Sequence, residues 1–442
     1  MPRRVLIVAY FFPPLGGAGV QRTLKWARYL PSLGWHPTIL TVRSRDYWMA
    51  DASLADELGP NVTVVRTASL TGLSLLRRLA PGQAGRPGRP RRSTGILGRL
   101  RRAASWAFIP DSYVGWIPFA RREGARILSA KRHDAILTTS SPDSAHLIGR
   151  ALARRFHLPW IADFRDPWTR RMSFDPPTRW HARCHRRLER GVLHEAARIT
   201  VTAEETRADF LNRDPDLDPA KIEVLTNGFD EADFTRWGDA QPRGSRMQIL
   251  HAGQLNPERP AAPFLRGLRH LLDIDPAARA ELRVRFLGPF YAGDAEAAER
   301  WGLSDVVSFE PALPHREVVG ELLQSHLLLL MEQDSPRGGL ILPGKIFEYL
   351  RSRRPILGLL PRGAAWNLIT NLGAGRCCAT EDAETVAQVL GDYVEAFRQG
   401  GPPPTGLSPE TLHGFERGVL AQRLANVLEQ LADRAGPRRA GG

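Results

Sequence analysis

The chain has 442 residues, of which 43% are hydrophobic and 24% charged, with a formal net charge of +14 and a pI of about 10.5. This length predicts two domains, and this composition excludes a wholly disordered chain. The positive charge favours anionic partners such as nucleic acid, an anionic lipid surface or a phosphorylated substrate. The three cysteines, Cys184, Cys377 and Cys378, lack metal-ligand spacing and indicate reduced thiols in a cytoplasmic protein.

The N-terminal residues MPRRVLIVAYFFPP carry a basic start and an apolar run, as a signal peptide does. Pro13 and Pro14 end this run early, and no small-residue cleavage site follows. We therefore predict a buried first strand over Val5–Tyr10 rather than a targeting segment. No stretch approaches the roughly 18 apolar residues of a membrane span.

The first half of the chain alternates between strand and helix patterns. A Pro/Gly loop at 13–19, a helix over 20–33 and a strand over 37–42 complete a right-handed βαβ unit with the first strand. Further strands are predicted at 62–66, 135–139, 160–164 and 199–203, with a helix over 143–156. The segment 77–102 is basic and rich in Gly and Pro, which favours a mobile insert.

The same alternation restarts after a polar stretch at 238–246. Strands are predicted at 248–252, 283–287, 306–309, 327–331 and 355–359, and helices at 261–273, 293–301, 315–324 and 344–352. The pattern predicts an N-terminal Rossmann-like domain over 1–240 and a second over 241–405, both α/β and doubly wound. A last helix over 406–434 is expected to pack back toward the N-terminal domain, and 435–442 to form a tail.

Two groups of candidate site residues lie in the first domain. Gly16 and Gly17 belong to a glycine loop between a strand and a helix, where backbone N–H groups can bind an anion; a plain tight turn is the alternative. Asp163, Arg165 and Asp166 lie at the carboxyl end of a predicted strand, a position that commonly faces a ligand. A structural ion pair is the alternative for these three residues.

The second domain carries two further groups. Gly253 and Arg259 follow its first strand, where glycine permits close approach and arginine can bind a diphosphate. The pair Gly338 and Gly339, followed by Leu340, comes after the strand at 327–331.

Lys345 and Glu348 belong to the helix that follows this glycine pair. Lys345 is predicted in the first helical turn, where a cation is unfavourable to the helix dipole, so we interpret it as a phosphate ligand. Glu348 lies one turn further on the same face, where it can accept hydrogen bonds from ribose hydroxyls. The alternative is a surface Lys–Glu pair.

Together these segments resemble the retaining glycosyltransferases of family 4, which have the GT-B fold. The resemblance covers nearly the whole chain except the basic insert. It rests on YFFPPLGGAGVQRTLKWARYLPSLGWHPTILT, TTSSPDSAHLIG with WIADFRDPW, VTAEETRADFL, KIEVLTNGFDEADF and PGKIFEYLRSRRPIL. It implies two Rossmann-like domains that face each other across a cleft, with Gly16 and Gly17 at the donor phosphates and Glu348 at the ribose.

Three positions depart from the family pattern. Leu340 occupies the place of the first glutamate of a two-glutamate motif, so contacts to the donor hydroxyls would come from backbone groups of 338–340 or from elsewhere. The usual arginine-then-lysine pair reads Gln254 and Arg259. A histidine common in the family is replaced where Arg165 and Asp166 lie.

The resemblance implies sugar transfer from a nucleoside diphosphate sugar with retention of configuration, without a metal or another cofactor. Arg259 and Lys345 would stabilise the leaving diphosphate, and Asp163, Arg165 and Asp166 are the candidate catalytic residues. The implied acceptor is a sugar or lipid-linked sugar in polysaccharide or glycolipid assembly, at a cytoplasmic location. A nucleotide-sugar epimerase and a basic nucleic-acid-binding protein are alternatives, but no nucleic-acid-binding motif accompanies the charge.

The basic insert also raises the expectation of peripheral binding to the inner face of a membrane. Nine arginines lie within 77–102, and Trp106, Phe108, Ile109 and Trp116 follow directly. Basic residues beside aromatic ones suit an anionic bilayer surface. A solvated loop beside buried aromatic side chains is the alternative.

Overall fold

The computed structural model describes residues 3–16, 18–43, 54, 57–70, 108–238, 240–335, 337–401 and 405–434. The chain forms two compact units: 1–226 with 418–442, and 227–417. The boundary expected from the sequence, at 240, lies further along the chain than the observed one. The basic segment 77–102 and the tail 435–442 lie outside the described residues.

The first unit is built on a sheet of seven parallel strands in the order β3-β2-β1-β4-β5-β6-β7. These are β1 (Arg3–Val8), β2 (Trp35–Val42), β3 (Thr63–Thr67), β4 (Ala135–Ser140), β5 (Trp160–Phe164), β6 (Arg198–Val201) and β7 (Ile222–Val224). The strands β1, β4 and β5 are almost entirely buried, which explains their continuous apolar sequence.

Helices cover both faces of this sheet. They are α1 (Ala18–Tyr29), α2 (Ile117–Ala130), α3 (Ser144–Phe156), α4 (Arg179–Glu195) and α5 (Glu204–Arg213). The connections from β3 to β4, β5 and β6 all advance in one direction along the sheet. Because such crossovers are right-handed, α2, α3 and α4 lie side by side on one face, with α2 against α3 and α3 against α4.

The second unit has six parallel strands in the order β10-β9-β8-β11-β12-β13. They are β8 (Met247–Ala252), β9 (Leu282–Leu287), β10 (Val307–Glu310), β11 (Leu327–Met331), β12 (Ile356–Leu359) and β13 (Gly375–Cys378). Its helices are α6 (Glu231–Thr235), α7 (Ala262–Ile274), α8 (Ala278–Glu281), α9 (Ala292–Arg300), α10 (His315–Leu323), α11 (Lys345–Ser352), α12 (Ala364–Asn371), α13 (Ala383–Arg398) and α14 (Pro409–His413). From β8 the strands are added on one side as β9 and β10, and then on the other side as β11, β12 and β13. The strands β8 and β11 therefore flank the switch point, where such sheets bind ligands at the carboxyl ends of their strands.

The last helix, α15 (Arg417–Arg434), packs on the first unit although it follows the second in sequence. Its apolar face joins the core formed by Val5, Ile7 and residues of α1. Arg3 forms an ion pair with Asp433 at the end of the helix. This face of the sheet is therefore covered by a helix from the N-terminal part of the chain, α1, and by the last helix, α15.

The predicted α/β class with two doubly wound sheets is confirmed. The strands at 160–164 and 327–331 have the predicted bounds. The helix expected over 20–33 instead ends at Tyr29 and continues as a 3₁₀ turn, because Pro31 lacks the N–H that an α-helix needs. None of the described helices is both long and apolar enough to span a membrane.

Candidate functional site

Gly253 lies directly after β8, at the carboxyl end of the second sheet. Its φ is +145°, and a Cβ atom there would lie 2.7 Å from Nζ of Lys345. The position therefore requires glycine for its backbone conformation, and the lack of a Cβ leaves room for the end of the lysine side chain. The sequence-predicted residues Gly253 and Lys345 are thus brought together by the fold.

Lys345 lies in the first turn of α11, as the sequence predicted, and the helix begins at this residue with Gly344 as the N-cap. Its Nζ donates a hydrogen bond to the carbonyl of Ala252 (3.2 Å) and lies 3.4 Å from Nε2 of the buried His251. Nδ1 of His251 is 2.9 Å from the Leu329 carbonyl, so this nitrogen donates and Nε2 accepts from the lysine. Burial, with the nearby positive charge of Arg259, lowers the pKa of Lys345 to about 7.

Arg259 has partners that the sequence did not predict. Its Nη1 contacts both carboxylate oxygens of Glu332, at 2.9 and 3.0 Å, and its Nη2 donates to the carbonyl of Gln254 (2.7 Å). Glu332 directly follows β11 and is largely buried. Arg259, Glu332 and Lys345 therefore form a charged cluster around the carboxyl ends of β8 and β11.

Glu348 is one turn along α11 from Lys345 and is mostly shielded from solvent. Its Oε1 lies 2.8 Å from Nε2 of His315, a partly exposed residue at the start of α10. The surface Lys–Glu pair weighed from the sequence is not among the ion pairs of the described residues, since Glu348 pairs with His315 instead. Its carboxylate lies beside the charged cluster, where its negative charge acts to raise the pKa of Lys345 against the larger lowering effect of burial.

The glycine pair has a packing role in this structure. Gly338, Gly339 and Leu340 form a 3₁₀ turn, and both glycines are buried. A Cβ atom on Gly339 would lie 2.3 Å from the carbonyl oxygen of Arg362, and one on Gly363 would lie 2.1 Å from the carbonyl of Gly339. Close contact between two backbone segments explains the glycine at 339 without a ligand.

In the first unit, Asp163 is completely buried at the end of β5. Arg22 donates to both of its carboxylate oxygens, at 3.1 and 2.8 Å, and the hydroxyls of Thr139 and Thr200 donate at 2.7 and 2.6 Å. This geometry fits the alternative of a structural ion pair for Asp163, because its oxygens are engaged within the protein. The network joins α1 to the ends of three neighbouring strands.

Arg165 lies beside the first turn of α1, at the end of the glycine segment that the sequence predicted as a loop. Its Nη1 donates to the Gly19 carbonyl (3.0 Å), and its own carbonyl accepts from the hydroxyl of Thr202 (2.8 Å). Gly16 in this loop is buried, whereas Gly17 lies outside the described residues. The structure thus places two sequence-predicted groups, the glycine loop and Arg165, next to each other.

Asp166 is partly exposed, unlike Asp163. Its negative charge favours the charged form of the nearby Arg171. Arg171 contacts both oxygens of the buried Asp143, which precedes α3. Asp111 accepts hydrogen bonds from the backbone N–H (2.9 Å) and hydroxyl (2.7 Å) of Ser144. Burial raises the pKa of Asp143 to about 7 and also raises that of Asp111. These acids were not predicted, since single aspartates in loops carry no sequence signal.

Two features follow from these positions. The second unit offers cations beside a glycine at its switch point, an arrangement that can stabilise a bound phosphate group. The first unit offers Arg165 and Asp166 at the carboxyl end of its own sheet. Within the described residues, no group of three or more His, Cys, Asp or Glu could hold a metal ion.

Comparison with known families locates a domain within the first unit. Residues 16–228 match the family described as Glycosyl transferase 4-like domain. The match begins in the glycine loop and ends just after the last strand of the first sheet. This part of the chain is therefore similar to a glycosyl transferase 4-like domain.

A curated relative extends this finding. The chain is 28% identical over 226 residues to the D-inositol 3-phosphate glycosyltransferase of Streptomyces griseus subsp. griseus, with 45% of this chain and 46% of the relative covered. The chain therefore spans about half the length of the curated relative that it matches.

Solved structures show the fold of the whole chain. A glycosyltransferase from Rickettsia africae has a TM-score of 0.61 at 14% identity, with 97% of this chain and 98% of that chain covered. Anabaena HepE in complex with UDP-glucose has a TM-score of 0.57 at 13% identity, with 98% and 99% covered. Both units are present in this likeness, which confirms the predicted GT-B class.

Proposed function

We propose that this chain, which carries a glycosyl transferase 4-like domain within the GT-B fold, transfers a sugar from a nucleoside diphosphate sugar to an acceptor with retention of configuration. The observation that carries the proposal is the cluster of Lys345, Arg259 and Gly253 at the switch point of the second unit. A structural neighbour that holds UDP-glucose supports a nucleotide sugar as the donor.

In this proposal the second unit binds the donor. The bond between the anomeric carbon and the diphosphate oxygen breaks, and negative charge develops on the diphosphate as it leaves. Lys345 and Arg259 stabilise that charge, so no metal ion or other cofactor is required. Glu348 accepts hydrogen bonds from the ribose hydroxyls, and the donor sugar is held by backbone groups of 338–340.

The first unit binds the acceptor, which we propose to be a sugar or lipid-linked sugar in polysaccharide or glycolipid assembly. The acceptor hydroxyl forms the new bond to the anomeric carbon as the bond to the diphosphate breaks, and its proton passes to the carboxylate of Asp166. Asp166 and Arg165 are the candidate residues at this step, because they are less buried than Asp163. We propose that the enzyme works at the inner face of a membrane, since a lipid-linked acceptor resides there.

The test is release of nucleoside diphosphate from a panel of nucleotide sugars, measured with and without a panel of acceptors. Acceptor-dependent release supports transfer. Altered free sugar nucleotide without an acceptor indicates an epimerase, and no turnover of any donor with retained nucleic-acid binding overturns the proposal.

The same assay tests the site. Lys345→Ala and Glu348→Ala should each reduce kcat/KM by the equivalent of about 2–4 kcal/mol, since each removes a charged hydrogen bond to the donor. The matched controls are Arg398→Ala and Glu281→Ala, which break an ion pair next to the amino end of β9. Near wild-type turnover in both site variants would reject this site.

Metal independence is tested by adding EDTA to the transfer assay. Activity should survive the chelator, because side-chain cations stabilise the diphosphate. Activity that is lost with EDTA and restored by magnesium or manganese would contradict this part of the proposal.

A further inference from the structure

The outer surface of the first unit carries a dense array of arginines on α2, α3 and α4. These three adjacent helices contain eleven arginines, no lysine or aspartate, and only three glutamates. We call their solvent-facing side the three-helix arginine face. Since the helices lie side by side on one face of the sheet, their charges form one continuous surface.

Seven of these arginines are exposed and form no ion pair with any described residue. They are Arg121, Arg122, Arg155, Arg179, Arg183, Arg186 and Arg187. The glutamates are already engaged: Glu123 pairs with Arg126, Glu195 with Arg150 and Arg154, and Glu189 with Arg213. The surface therefore holds positive charge that no ion pair among the described residues neutralises.

The helix α4 has a buried apolar side and an exposed side that is rich in arginine. Its buried side carries Val192 and Leu193, whereas four unpaired arginines recur at helical spacing on the exposed side. Trp180, in the first turn, has 62% of its surface exposed to solvent. Trp180 thus adds an exposed indole ring, with an apolar body and a polar N–H, to the arginine-rich side of this helix.

Grooves between the helices add depth to this face. One of about 560 Å³ lies between α2 and α3 and is lined by Arg121, Arg122, Arg126 and Arg155. A second of about 420 Å³ lies between α3 and α4, with Arg187 and Arg190 at its edge. Such arginine-lined grooves can accept phosphate groups from a surface against which the helices rest.

We propose that the three-helix arginine face docks the protein on an anionic lipid surface, with Trp180 at the level of the lipid headgroups. A broad patch of one sign attracts an anionic leaflet, and each basic residue near it contributes roughly 1 kcal/mol. A tryptophan at the edge of the patch fits the membrane interface, where one side of the ring meets apolar chains. This inference rests on the membrane location proposed above and assigns it a surface outside the segment 77–102.

The experiment uses the full chain and two kinds of vesicle: phosphatidylcholine alone, and phosphatidylcholine with about 30 mol% phosphatidylglycerol. Wild-type protein should co-sediment with the anionic vesicles at about 0.05 M salt and dissociate at about 0.5 M salt, because screening weakens the attraction. Failure to bind anionic vesicles at low salt, or equal binding to both kinds, would overturn the proposal.

The triple variant Arg183→Gln, Arg186→Gln, Arg187→Gln tests the face itself. At roughly 1 kcal/mol for each arginine, its partition onto anionic vesicles should fall by more than tenfold. The matched control is Arg283→Gln, Arg300→Gln, Arg316→Gln, which removes the same charge from exposed positions of the second unit. Equal losses in both triple variants would show that net charge alone acts, and would overturn the proposal.

Two further measurements complete the test. Trp180→Ser should weaken vesicle binding with little change in its salt dependence, because it removes an apolar contact and no charge. Donor turnover with a water-soluble acceptor should be unchanged in the triple variant, so a failure of membrane docking is distinguishable from a failure of the proposed transfer. Tight binding of duplex DNA near 0.15 M salt that the triple variant loses, without vesicle binding, would assign the face to nucleic acid instead.

Discussion

At the scale of single residues, the surroundings of Lys345 disfavour its positively charged form. Burial and Arg259 lower its pKa to about 7, whereas a bound diphosphate would favour the protonated form and raise that pKa. Below about pH 7 the lysine is charged before and after binding, so affinity is at its maximum. Above about pH 7 binding must take up a proton, and affinity should fall by up to about tenfold per pH unit.

This prediction is checked by measuring the Kd of UDP between about pH 7 and pH 9, with proton uptake followed by calorimetry in two buffers. The control is Lys345→Arg, which keeps its charge over this range and should give a flat profile. A flat profile in the wild-type protein, with no proton uptake, would show that Lys345 does not contact the diphosphate.

Glu332 is the second residue with a testable effect. It contacts Arg259 at the place where a diphosphate is proposed to bind, so it competes with the ligand for that cation. Glu332→Gln should therefore tighten UDP binding by several-fold, equivalent to about 1 kcal/mol, a typical value for an ion pair near the surface. The control is Glu281→Gln, which alters the Arg398 pair elsewhere in the same unit. Weaker UDP binding in Glu332→Gln would instead mean that Glu332 holds Arg259 in place.

The sequence indicated some of these residues and not others, for physical reasons. Lys345 and Gly253 were identifiable because a cation at a helix start and a glycine after a strand are local signals. Glu332 gave no such signal, because its partner Arg259 lies 73 positions away. The partner of Asp163, Arg22, is 141 positions away, so the sequence left catalytic and structural roles equally open for that carboxylate.

At the scale of elements, the ends of β4, β5 and β6 are held together through Asp163. Its oxygens accept hydrogen bonds from Arg22, Thr139 and Thr200, which belong to α1, β4 and β6. Asp163→Ala leaves the buried guanidinium of Arg22 without its counter-charge, and should lower the free energy of unfolding by about 3–5 kcal/mol. Asp166→Ala is the control, since its side chain is partly exposed and its loss should affect transfer more than stability.

Thermal and urea unfolding of both variants checks this expectation. If Asp163→Ala keeps wild-type stability but loses transfer, the carboxylate acts in catalysis and the structural interpretation is wrong. Loss of stability in Asp166→Ala alone would reverse the assignment of the two residues.

The sequence also predicted some whole elements and missed others. Strands with continuous apolar sequence, such as β5 and β11, had the predicted bounds because burial on both faces leaves a clear pattern. The strands β7 and β13, with three and four residues, were not predicted. The helix α4 was also missed, because its exposed arginines hide a buried side that only the sheet beneath it defines.

At the scale of the whole molecule, the first unit is discontinuous in sequence. Its core needs α15, which the chain supplies only after completing the second unit. Leu420, Leu424 and Leu428 of this helix are almost fully buried against the face of the sheet that contains Val5 and Ile7. Folding of the first unit therefore depends on residues more than 400 positions from its first strand.

This dependence predicts that damage to α15 unfolds the first unit. Leu424→Ala and Leu428→Ala each leave a cavity in the core and should each cost about 2–5 kcal/mol, so the double variant approaches the whole stability of a typical domain. Gln422→Ala with Asn426→Ala is the matched control, because both side chains lie on the exposed side of the same helix. Limited proteolysis followed by mass spectrometry should show cleavage within 108–226 in the leucine variant and not in the control, while 227–417 stays resistant. Resistance of 108–226 in the leucine variant would mean that the first unit folds without this helix, whereas prior loss of 227–417 would place the stabilising contacts of α15 in the second unit.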